Sequence, residues 1–208
     1  MLGGSVYIAF IRFALSLVGT ILLFSLLSEP RYDRKKTVVC YILFGVAVTV
    51  PACIWYMLDW SNCVRIVAFA MFVCFCVFAV FMSRDPIYLT VYKLALTFYL
   101  LAVFLIGGIE VSVIFFDRNV WADIVTRIVL ITFMAYFIDR KIKVDIRGFG
   151  YYVENELDRF SVGVMIISIL FGIGFIMNPR AAEQTPYHLF QIITNFFLTG
   201  ALQLLIFR

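Results

Sequence analysis

Apolar positions in this chain neither alternate nor keep to one narrow stripe. They fill long runs, separated by short clusters of charged and turn-forming residues. Seven runs stand out, at residues 6–27, 37–58, 64–82, 87–116, 120–138, 160–177 and 189–207. A helix needs about 20 mostly apolar residues to cross the hydrocarbon core of a bilayer, and each run meets that length. None shows the period of two that a transmembrane barrel requires. A helix satisfies its own backbone hydrogen bonds in lipid, so helices are the remaining solution. The pattern predicts an all-α fold, a polytopic transmembrane helix bundle of about seven spans, forming one domain over residues 1–208. The connections are short except one, 139–159, read as a cytoplasmic amphipathic linker. In it Phe149, Tyr152, Val153, Glu156 and Leu157 fall at helical spacing opposite Glu154, Asn155, Asp158 and Arg159, which suits a helix lying in the membrane interface.

Composition agrees. Hydrophobic residues make up 64% of the chain, charged residues 14%, and the mean hydropathy is +1.02; a soluble domain is about 25% charged. The basic residues set the orientation. Arg31, Arg34, Lys35, Lys36, Arg84, Arg140, Lys141, Lys143, Arg147, Arg159 and Arg208 fall on one side of the predicted bundle, and only Arg65, Arg118 and Arg180 on the other. Basic connections stay in the cytoplasm, so the expected topology has the N-terminus outside and the C-terminus inside, in a multi-pass protein of the cell membrane. The first run has no basic start and no small-residue cleavage pattern after it, and reads as a retained span rather than a signal peptide. Trp55, Tyr56, Trp60 and Trp121 fall at outer span ends and Tyr151 and Tyr152 near an inner one, where aromatic rings anchor. Pro51 is expected to kink the second span. The net charge of +4 follows from the loops, so it implies the lipid bilayer as partner and no nucleic acid.

Ionisable residues inside spans are costly and therefore candidates for function. Lys93 enters the fourth run from the cytoplasmic side, and its flexible stem is expected to reach back to the headgroups. Glu110 in the fourth run and Arg127 in the fifth lie at matched depth, roughly 10 Å below the outer boundary at 1.5 Å rise per residue. The tight turn Asp117-Arg118-Asn119 makes these runs antiparallel neighbours, so Glu110 and Arg127 are predicted to pair, with Asp123 one turn away as a second partner. Arg12 reaches a similar depth in the first run. Arg12, Glu110, Asp123 and Arg127 thus form either a structural ion-pair network or an outward-opening ligand-binding pocket for an extracellular peptide or small molecule.

The last run carries His188, Gln191, Asn195, Thr199 and Gln203 at spacings of three and four, near one helical face. Gln191, Asn195, Thr199 and Gln203 read as a helix-contact stripe, made either within the bundle or to a second protomer in a homodimer. His188 reads as a polar end residue.

No catalytic constellation accompanies these residues. There is one histidine, no His-Glu-x-x-His, no Gly-rich phosphate loop and no pair of intramembrane aspartates. The five cysteines read as packing residues. No catalytic residue, metal site or cofactor is expected.

Several stretches carry a resemblance. They are Arg31-Tyr32-Asp33-Arg34-Lys35-Lys36 after the first run, Ser83-Arg84-Asp85-Pro86 before the fourth, and Val125-Thr126-Arg127-Ile128-Val129 leading to Phe137-Ile138-Asp139-Arg140-Lys141. The link Glu154-Asn155-Glu156-Leu157-Asp158-Arg159-Phe160 follows. In span order and loops the chain resembles the membrane region of GHKL-type bacterial sensor histidine kinases, the group that includes peptide-pheromone receptor kinases. The resemblance implies a sensor domain that relays an extracellular signal to a cytoplasmic histidine-kinase output. A dimerisation helix and kinase core would follow Arg208, so the resemblance implies a sensor fragment or a kinase-less relative. The rival expectation is a small-solute transporter subunit, the substrate-capture component of an importer, in which Arg12, Glu110 and Arg127 line the substrate site.

Overall fold

The computed structural model describes residues 6–142, together with positions 163, 166, 167, 169, 190, 193–195 and 197–200. Five helices run through the first part: α1 (Val6–Leu27), α2 (Arg34–Leu58), α3 (Trp60–Met82), α4 (Ile87–Phe115) and α5 (Val120–Phe137), the last continued by a π-helical turn, Ile138–Ile142. Among the described residues there is no strand, only an isolated antiparallel bridge between Pro30 and Ser83. Four helices are long and apolar enough to cross a membrane: α1, α2, α4, and α5 extended to Arg140. In α3 the described apolar stretch is Ala70–Met82. Most of the last two predicted spans lies outside the described residues, as does nearly all of the 139–159 linker.

Helix starts follow local chemistry. The second helix begins at Arg34, three residues before its apolar run, with Arg34, Lys35 and Lys36 in its first turn. α3 begins at Trp60, where the Asp59 carboxylate accepts from the Asn62 backbone N–H at 3.2 Å and caps the helix. α5 is capped by Asn119, whose side chain accepts from Trp121 N–H at 2.9 Å. Between α4 and α5 the chain turns through Asp117 and Arg118, both with positive φ (47° and 63°). The Arg118 N–H closes back on the Ser112 carbonyl at 3.1 Å, and the Ser112 hydroxyl donates to the Asn119 carbonyl at 2.6 Å. This closed turn fixes the register of the α4–α5 hairpin.

α4 is the axle. It packs against α1, α3 and α5, and it buries residues all round its circumference, from Leu89 and Lys93 through Tyr99 and Phe104 to Glu110 and Ser112. α2 is the opposite case: it touches α1 and α3, and buries only Thr37 and Tyr41. It is held by aromatic rings. Phe44 stacks on Phe78 with centroids 4.0 Å apart and meets Phe75 edge-on, while Phe72 and Phe75 of α3 meet Phe98 of α4. Such packing suits lipid, where helices associate by close contact rather than by escape from water. At Gly19 a side chain would reach within 3.0 Å of both Ile131 and Leu101. Glycine there lets α1 seat against α4 and α5 together.

Candidate functional site

Asp123 sits in the first turn of α5 and has no exposed surface. Its Oδ1 accepts from Arg127 Nε at 2.6 Å, one turn along the same helix. Its Oδ2 accepts from Arg12 Nε of α1 at 2.8 Å, and Arg12 Nη2 stands 2.7 Å from the same oxygen. One buried carboxylate thus holds two guanidiniums, and the short distances are those of charge-assisted bonds. The three charges sum to +1. Arg127 is nearly buried, whereas the Arg12 side chain keeps 21% of its surface. Arg12 Nη2 is itself enclosed against that oxygen. Gly108 of α4 lies directly against the pair. A Cβ there would fall 2.8 Å from Arg127 Cγ and 3.0 Å from Asp123 Oδ1.

This geometry corrects the sequence expectation for Arg127. Its partner is Asp123 rather than Glu110. The reason is azimuth: Gly108 is the α4 residue that faces α5, and Glu110, two positions on, is turned about 200° away from it. Glu110 is nonetheless buried, with 4% of its surface exposed. Eleven residues, three full turns, separate it from Tyr99, so both belong to one face of α4. Asn195 packs on that face. The Tyr99 hydroxyl donates to Asn195 Oδ1 at 3.0 Å, and the buried Thr199 donates to the same oxygen at 3.4 Å. Asn195 therefore contacts α4 of its own chain, with Thr199 bonded to it, while Phe190, Phe197 and Leu198 are exposed. Gln191, Gln203 and His188 lie outside the described residues. Of the four candidate ligand residues, the structure joins Arg12, Asp123 and Arg127.

A second charged centre, missed in sequence, occupies the opposite end of the bundle. Lys93 is fully buried and its Nζ bonds Asp85 Oδ2 at 2.8 Å. The lysine does run back along α4 toward the helix start, but it ends on a carboxylate of the preceding turn rather than among headgroups. Ser83 Oγ donates to Asp85 Oδ2 at 3.0 Å and accepts from the Asp85 N–H at 3.1 Å. The turn is further stitched to the α1–α2 connection by two backbone bonds, Arg31 N–H to the Met82 carbonyl at 2.8 Å and Arg84 N–H to the Glu29 carbonyl at 3.0 Å. The available signal was an acid two helical turns before a span lysine, within reach of its four-carbon stem.

Among the described residues no group of three or more His, Cys, Asp or Glu side chains is placed to hold a metal. The cysteines are free, and Cys63 is buried.

No protein-family model, no curated protein and no solved structure matches the chain.

Proposed function

We propose that this chain is a seven-span sensor domain of the cell membrane, with its N-terminus outside and its C-terminus in the cytoplasm. In this reading it relays an extracellular signal to a cytoplasmic histidine-kinase output. The observation that carries the reading is the unequal grip on Asp123: Arg127 is sealed, but the Arg12 side chain keeps 21% of its surface. An anionic group of an extracellular ligand competes with Asp123 for Arg12. Capture of Arg12 loosens α1 from α5. At its other end α1 leads, through Ser28 and Glu29, into the stitch with Arg84 beside Asp85 and Lys93. A helix of 22 residues spans roughly 33 Å, so α1 is a rod between the two charged centres. A ligand moves such a rod only by binding its two positions with different affinity.

Spin labels on the full chain in lipid nanodiscs test the relay. One pair sits at Tyr7 and Trp121, both exposed at the Asp123 end, and another at Ser25 and Ile87 at the Asp85 end. Arg12→Gln mimics capture of Arg12. The expected result is a shift in both distance distributions, by about 1–2 Å or more at the far pair. A change confined to the Tyr7–Trp121 pair would remove the relay.

A further inference from the structure

The connection after α1 carries a surface that neither charged centre uses. Tyr32, Lys35, Lys36, Val39 and Cys40 line a groove of about 340 Å³. Its wall is formed by the apolar parts of these side chains, and Lys35 and Lys36 are exposed. With Arg31 and Arg34 they make four cations in six residues, against Glu29 and Asp33 as the nearby acids. Among the described residues none of the four cations forms an ion pair. The first turn of α2 holds no acid, so residues 29–36 keep a net positive charge.

The groove does not end at the lysines. Val39, Leu43, Val46 and Val50 follow Lys35 at helical spacing along α2, and each exposes more than half of its surface. Ring contacts to α3 occupy the other side of the helix, through Tyr41 and Phe44. A cationic mouth thus opens onto an uncovered apolar track about three turns long. A small free anion would use the lysines and waste the track. A neutral lipid would use the track and leave the lysines crowded. We propose that this groove binds an anionic glycerophospholipid, its phosphate between Lys35 and Lys36 and one acyl chain along Val39, Leu43, Val46 and Val50. Tyr32 closes the mouth at headgroup level, where a ring with one polar end is at home. The proposal needs only that this end of α2 lies at a membrane surface, and is independent of the sensor reading.

Native mass spectrometry of the full chain in neutral detergent, titrated with phosphatidylglycerol, reads the site directly. The expected result is one tightly retained phosphatidylglycerol, with phosphatidylcholine and inorganic phosphate binding far more weakly. Lys35→Gln with Lys36→Gln should weaken retention about tenfold or more, in line with about fivefold for each basic group near an anionic headgroup. Arg31→Gln with Arg34→Gln removes the same charge outside the groove and should weaken it clearly less than the lysine pair does. Equal losses in the two double variants would mean diffuse attraction and would overturn the site, as would equal retention of phosphatidylcholine. A second measurement needs no variant: peptide-resolved alkylation of Cys40 in nanodiscs should slow when phosphatidylglycerol replaces phosphatidylcholine. An unchanged Cys40 rate would also overturn it.

Discussion

The two charged centres meet the same problem, ions held away from water, in different ways. At the Asp85 end the pair is local and neutral. Lys93 and its acid are eight residues apart, and the acid belongs to a turn already stitched by backbone bonds. At the Asp123 end the solution is tertiary and carries excess charge: Arg12 reaches its acid across 111 residues, and one carboxylate serves two cations. A local pair survives any movement of the helices around it. A long-range pair exists only in one packing of the bundle. The Asp123 centre is therefore the one able to report a change in helix arrangement, and the Lys93–Asp85 pair the one suited to stay intact while its turn moves with the end of α1.

This contrast makes graded predictions, each readable as unfolding free energy in detergent. Asp123→Asn strips the counter-charge from two guanidiniums, one nearly buried and one partly open, and should cost about 3–5 kcal/mol. Adding Arg12→Gln should then cost little more, because the pair is already lost; full additivity would show that Arg12 and Asp123 are not coupled. Asp85→Asn strips the counter-charge from one cation rather than two and keeps an acceptor for it, so its loss should be smaller, about 1–3 kcal/mol. A larger loss than that of Asp123→Asn would reverse the ranking of the two ends. Gly108→Ala should cost about 1–3 kcal/mol by overpacking, and its effect should shrink in an Arg127→Ala background that frees the space. Tyr99→Phe, which removes one interhelical hydrogen bond to Asn195, should cost about 0.6 kcal/mol.

Depth was readable in the sequence and direction was not. The first run coincides with α1 at both ends, and the ends of α4 and α5 fall one residue from those expected. Run length alone fixes where a helix meets the polar boundary. Matched depth also drew Arg12, Asp123 and Arg127 into one candidate group. The choice of Asp123 over Glu110 depended on which side of α4 faces α5. An all-round apolar helix carries no stripe to show that, and the deciding residue was Gly108, which has no side chain to be noticed. Lys93 was misjudged for a related reason. Its acid lies outside the apolar run, in Ser83-Arg84-Asp85-Pro86, and a reading that separates loops from spans does not look there for a buried partner.

The long reach from Arg12 to Asp123 has a consequence for biosynthesis. Ribosomes deliver α1 to the membrane well before Asp123 has been made, so the helix must enter lipid carrying an arginine that has no counter-ion. Insertion scales place that cost at about 2.5–3.5 kcal/mol for a central position. The rest of α1 holds no other charged residue and is dense in leucine, isoleucine and phenylalanine, enough apolar weight to carry the cation in. Arg12 is thus a passenger during assembly and becomes a fastener only when the fifth helix arrives.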